Sequence, residues 1–211
     1  MKRNRYSFSR PIKTRNPLPV VVVVCDDTKT AVAYFTALKH EIKAKLTLEV
    51  VAAPCHGATP DNVIKEAINR AKALFGGTSD GEDGGDAVWV LIDLEKEIEK
   101  QEQAKKAKEC GEKENIKVAL SNPCYEVWTL SHLVDTGEAF HDCQAVVQRI
   151  KKEWKSRFGA DFGGKKAKAD YGKIIPLRSD AIKRCRKHYS HDPSWTEVYE
   201  LVEYIQKLCD I

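Results

Sequence analysis

Long apolar runs are missing from this chain. Nothing in its 211 residues approaches the roughly 20 consecutive apolar residues of a membrane-spanning helix. None of the seven cysteines forms a Cys-x-x-Cys pair, and their number is odd. That argues against a disulfide framework and a zinc ribbon, and predicts reduced, mostly buried thiols. Neither a Walker phosphate loop nor the dinucleotide glycine fingerprint occurs, so nucleotide binding by those devices is excluded. No internal repeat is visible. Acids are absent from residues 1–19, which carry six bases: Lys2, Arg3, Arg5, Arg10, Lys13 and Arg15. No hydrophobic core follows them, so the expectation is a cytoplasmic protein without a secretory signal, not associated with a membrane.

What is present is an ordinary globular composition, 42% hydrophobic and 31% charged, with an uneven spread of charge. Lys151 to Ser190 holds thirteen Lys and Arg against four Asp and Glu, whereas Asp80 to Lys100 holds eight acids against two bases. Such runs are either solvated helix faces or basic arms flanking an acidic pocket, as a polyphosphate substrate would need.

The proline-punctuated residues 1–17 read as a basic arm, and the fold is expected to begin near Leu18. VVVVVCDDTKTAVAYF (residues 20–35) is a buried strand that stops at Asp26 and Asp27, followed by an amphipathic helix over 28–45. LTLEVVA (46–52) is a second strand. Thr59-Pro60-Asp61 has the N-cap, N1 proline and first-turn acid of a helix start, and that helix ends at Gly76-Gly77. AVWVLI (87–92) is a third strand ending on Asp93. A Glu/Lys-rich helix, 94–110, leads to a fourth strand, IKVAL (116–120), then to a helix over CYEVWTLSHL (124–133). Strand alternating with helix argues for an α/β fold with a mostly parallel sheet over 18–140. Only helical patterns follow His141, at 144–158, 180–189 and 194–209, which predicts a basic helical extension over 141–211 packed on the core. Trp89, Trp128, Trp154 and Trp195 each fall in an apolar periodic run and read as core.

Three strand ends therefore carry acids: Asp26 and Asp27, then Asp93 with Glu95, then Glu126. In a parallel sheet these ends share one edge, where a hard cation such as magnesium would find oxygen ligands. Each acid has a blander reading as a helix cap or dipole partner. Cys185, His188 and His191, extended by His141 and Cys143, have a zinc-like spacing but are more readily read as a capped helix end.

The blocks VVVVCDDTKTAVAYF, AVWVLIDLE and ALSNPCYEVWTLSHL together resemble the RloB family of Toprim-related proteins. Ser121, Asn122, Pro123, Cys124, Glu126, Trp128 and His132 carry the most specific part of the likeness, and Tyr171, Lys173 and the final PSWTEVYELVEYI extend it across nearly the whole chain. The resemblance implies a Toprim/Rossmann-like core and a nuclease dependent on Mg²⁺ or Mn²⁺, cutting RNA or DNA in antiviral defence. It also implies an ATPase partner protein, and a homo-oligomer is compatible with it. Asp26, Asp93, Glu95 and Glu126 fall on the family's acids and would be catalytic, with Asp26, Asp27, Asp93 and Glu95 around the metal. Lys29, Lys165, Lys166, Lys168, Lys173 and Arg178 would contact the nucleic acid. The chain departs from the family at three places: Asp26 replaces Glu, Asp27 replaces Gly and Ala31 replaces Glu. Two alternatives follow, a catalytically impaired Toprim-like sensor or subunit, and a phosphorylation-receiver-like domain with Asp93 as acceptor.

Overall fold

Alternating side chains of the valine-rich first strand sort the core into two packing layers, one on each face of a single sheet. In a computed structural model, which describes residues 18–26, 29–52, 59–76, 85–94, 97–163, 169–189 and 192–210, β1 (Val20–Cys25), β2 (Thr47–Ala52), β3 (Ala87–Asp93) and β4 (Lys117–Asn122) are parallel. A short antiparallel β5 (Trp195–Thr196) closes the edge, giving the order β2-β1-β3-β4-β5. The mostly parallel α/β sheet flanked by helices is thus as expected. Val22, Val24, Val88, Val90 and Ile92 face α2 (Pro60–Phe75) and α3 (Ile98–Lys113). Val21, Val23, Cys25, Trp89 and Leu91 face the other layer. Sheets covered on both faces need apolar strands rather than alternating ones, which is why the β1 and β3 runs are unbroken.

The second layer contains α1 (Thr30–Ile42), the short α4 (Glu126–Ser131), α5 (Cys143–Phe158), α6 (Arg178–His188) and α7 (Val198–Cys209). Trp128 and Trp154 are completely buried there and Trp89 is nearly so, as expected of core residues, while Trp195 packs against the opposite cluster. Tyr34 of α1 meets the rings of Trp128, His132 and Tyr171 edge-on.

The helices are bounded largely where their caps dictate. Thr59 caps α2 through a 3.4 Å bond to Asn62 N, and Gly76 ends it at φ +70°, a left-handed position glycine takes without strain. Asp142 caps α5, accepting from Ala145 N at 2.8 Å. Several boundaries move from the sequence reading: α1 is Thr30–Ile42 rather than 28–45, α3 is Ile98–Lys113 rather than 94–110, α4 is shorter than 124–133, and α7 begins at Val198 rather than 194.

One expectation fails. The residues after His141 are not all helical, because Trp195–Thr196 joins the sheet. Ser121 and Thr196 share a 2.8 Å hydroxyl contact, and the Glu197 amide donates to Leu120 O at 2.8 Å. Glu197 is only 3% exposed and gathers Lys108 Nζ (2.7 and 2.9 Å), Leu120 N (2.9 Å) and the Tyr189 hydroxyl (2.8 Å). A buried carboxylate persists where cation and donors replace its hydration, so Glu197 joins α3, β4 and the C-terminal helices at one point. Among the described residues, no helix is long and apolar enough to cross a membrane.

Candidate acidic site at the strand ends

β1 and β3 are neighbours in register, Cys25 opposite Leu91, so the residues that follow meet at the carboxyl edge of the sheet. The Asp93 amide donates to Asp26 Oδ2 at 3.0 Å, and the Asp26 amide reaches Leu91 O at 3.4 Å. Asp93 is the last residue of β3, and its Oδ1 accepts from the Tyr125 amide at 2.7 Å. The two acids thus form a relay from β1 through β3 to the turn that starts α4. Both are half-buried. A carboxylate has two oxygens and about four lone-pair sites, and a backbone donor on one of them orients the group. All-oxygen donors on a rigid edge fit a hard divalent cation in kind.

Asp27 and Glu95, two of the expected metal ligands, lie outside the described residues. Glu126 is described and opens α4, but its carboxylate turns toward α5: Oε2 stands 3.1 Å from Cys143 Sγ. Among the described residues, the ligand atoms that gather within 4.8 Å of one another are those of Cys124, Glu126 and Cys143, not the trio Asp26, Asp93 and Glu126.

Cys124 and Cys143 are paired in a disulfide with Cα atoms 5.6 Å apart. This corrects the expectation of reduced thiols throughout; Cys185 and Cys209 are free and buried, as expected, Cys25 is buried, and Cys110 is free and partly buried. The pairing was not legible because 19 residues and a change of helix separate the two sulfurs. The cysteine–histidine spacing near residue 188 does not form a metal cluster among the described residues. His188 instead bonds Asp135 and Asp192, His141 pairs with Asp142, and His191 lies outside the described residues.

The basic residues divide. Lys29 is exposed, three residues beyond Asp26, at the mouth of a groove of about 780 Å³ between α1 and the 169–172 segment. Lys173 is exposed, its ammonium 5.7 Å from the Phe158 ring. Arg178 pairs with Glu41 at 2.8 Å and donates to Ile175 O at 3.0 Å, so it braces the C-terminal part against α1. Lys165, Lys166 and Lys168 lie outside the described residues.

Behind the site, burial above all lowers the His132 pKa to about 3, with Arg184 and Arg178 adding to the effect against a backbone bond to Trp128. Burial likewise pushes the Tyr125 phenol well above its usual range. Both rings stay neutral and are buried in the second layer.

Comparison with known proteins adds a family. The model described as "RloB-like protein" matches residues 21–205, most of the chain. No curated protein matches. Among solved structures, a de novo designed Rossmann-fold protein is 26% identical, covering 49% of this chain and 84% of its own, with a TM-score of 0.32.

Proposed function

Since this chain belongs to the RloB-like family, we propose that it is a divalent-metal-dependent phosphodiesterase that cuts RNA or DNA at the Asp26–Asp93 edge. The observation that carries this reading is the relay itself: two carboxylates from adjacent parallel strands, one oriented by the Asp93 amide and the other by the Tyr125 amide. Such preorganisation is what a site needs when a misplacement of about 1 Å costs on the order of a hundredfold in rate.

Asp26 and Asp93, with Asp27 and Glu95 from the same strand ends, would hold Mg²⁺ or Mn²⁺. The bound ion would polarise the phosphate and make water a better nucleophile near neutral pH. The rest falls to the side chains. Tyr125 fixes the orientation of Asp93 through its backbone. Asp26 is placed to take a proton from the attacking water, provided that water comes within hydrogen-bond reach. Lys29 brings positive charge beside Asp26, and Lys173 with Lys165, Lys166 and Lys168 would track the phosphate backbone, so affinity should fall steeply with salt. Glu126 would act from the margin, since its carboxylate faces Cys143. Antiviral defence in the cytoplasm, beside an ATPase partner and with self-association, is the setting we propose for this activity.

A second reading is an impaired, nucleic-acid-binding relative. It is favoured by Ala31, buried at 1% exposure, where the resembled family carries a glutamate. The receiver reading has less support: the fifth strand is antiparallel, two residues long and without lysine.

Incubation with a panel of single- and double-stranded DNA, messenger RNA and transfer RNA, under Mg²⁺, Mn²⁺ or EDTA, tests the proposal. Cleavage that stops on chelation is the expected result. Binding without cleavage supports the impaired relative, and cleavage indifferent to EDTA overturns the metal site.

A further inference from the structure

Three elements converge where α4 meets α5. Cys124 lies in the turn after β4 and is 2% exposed; Glu126 opens α4; Cys143 is the first residue of α5. Their ligand atoms all lie within 4.8 Å of one another. We propose that Cys124, Glu126 and Cys143 form a second metal site, selective for a soft divalent cation of the zinc class, which is available when the two cysteines are reduced.

Ligand chemistry separates this site from the strand-end edge. Two thiolates select zinc-like ions over magnesium, whereas the Asp26–Asp93 pair offers only oxygen. Two sulfurs and one carboxylate make three protein ligands, leaving a fourth tetrahedral position for water. With Zn–S of about 2.3 Å, tetrahedral geometry needs sulfurs about 3.8 Å apart. Cysteines whose Cα atoms are 5.6 Å apart are close enough to share one tetrahedral ion. Glu126 and Cys143 are only half-buried, which leaves an entry path.

Charge points the same way. The oxidised Cys143 sulfur, 3.1 Å from Glu126 Oε2, has no proton to donate to that carboxylate; the thiol has one. With both cysteines ionised, three negative groups would crowd one half-buried corner, and a divalent cation between them removes the repulsion. The positive end of the sixteen-residue α5 adds to this, since Cys143 sits in its first turn.

The redox step balances with a dithiol reductant. The Cys124–Cys143 bond takes two electrons and two protons from the dithiol, which becomes a disulfide, and metal binding then releases the two thiol protons to solvent. Reoxidation by a low-molecular-weight disulfide expels the ion. This site does not depend on the phosphodiesterase reading, although Glu126 ligating zinc would be unavailable to the acidic edge.

The test uses full-length protein, stripped of metal, either oxidised or reduced by a phosphine, titrated with Zn²⁺ against a chromophoric chelator and, in parallel, with Co²⁺. Reduced protein should bind one zinc per chain and show a thiolate-to-cobalt charge-transfer band. Oxidised protein should bind no zinc in competition with the chelator. Cys143→Ser should lose both signals, Glu126→Gln should weaken zinc by about tenfold or more, and Asp93→Asn should leave the stoichiometry unchanged. Failure of reduced wild-type protein to bind zinc overturns the proposal, as does undiminished binding by Cys143→Ser; near-ultraviolet circular dichroism of that variant separates ligand loss from unfolding.

Discussion

His132 is fully buried, with Nδ1 2.8 Å from Trp128 O and Nε2 3.2 Å from the Tyr34 hydroxyl. A carbonyl can only accept, so Nδ1 carries the proton and Nε2 accepts from Tyr34. Burial favours this neutral form over imidazolium. The folded pKa of about 3 lies below the unfolded value of about 6.5. Protons therefore bind the unfolded chain more readily, and the stability that neutral His132 provides is lost as pH falls below 6.5. From these two values the loss by pH 5 should be about 2 kcal/mol. Asp135, held below the usual carboxylate range chiefly by bonds from His188 and Lys187, acts in the same direction but only at lower pH. Urea unfolding at pH 7.5 and pH 5 checks the prediction: wild type should show the drop, and His132→Gln should be less stable at pH 7.5 with a flatter slope. Equal slopes would remove His132 as the cause.

At the scale of elements, α3 is set by how closely it approaches β4. A Cβ at Gly111 would lie 2.7 Å from Val118 Cγ2 and 2.9 Å from Ile116 O, so the glycine here permits close packing rather than flexibility. Gly111→Ala should lower stability by about 1–3 kcal/mol through overpacking, although alanine is the better helix former by about 1 kcal/mol. A neutral or higher urea midpoint would refute that contact. Elements with a long period or explicit caps were legible beforehand: the valine run of β1, the Thr59-Pro60 start of α2 and the AVWVLI strand. β5 was not, because two residues carry no period and Trp195–Thr196 is held by Ser121 and the Glu197 backbone, both distant in sequence. The strand-end acids were legible as positions on one edge. Their pairing through backbone amides was not, and neither was the turn of Glu126 toward Cys143, since side-chain direction at a helix start depends on the neighbouring helix.

For the whole molecule, the first 140 residues and the remainder share one core. Tyr34, Trp128 and Trp89 pack in the same cluster as Trp154, Ile174, Val202 and Ile205. A fragment ending at residue 140 would expose that apolar surface and leave β4 as an open edge, so it should show no near-ultraviolet dichroism and no cooperative melt. A folded, cooperatively melting fragment would make the C-terminal part a separate unit. Glu197→Ala in the full chain should cost about 3 kcal/mol, because it strands the donors that now converge on one carboxylate; a change under about 0.5 kcal/mol in urea unfolding would reduce that cluster to a surface contact.

The proposed hydrolytic centre pairs Asp26 with Asp93, and Asp93→Asn isolates it. The amide oxygen of asparagine can still accept from Tyr125 N, so the turn into α4 is kept while the charge is lost. The decisive measurement is the Mg²⁺-dependent cleavage rate of this variant beside wild type on the same nucleic acid, with melting temperatures compared. A rate lower by about a hundredfold or more at an unchanged melting temperature is the predicted result. Cleavage at the wild-type rate would contradict the account.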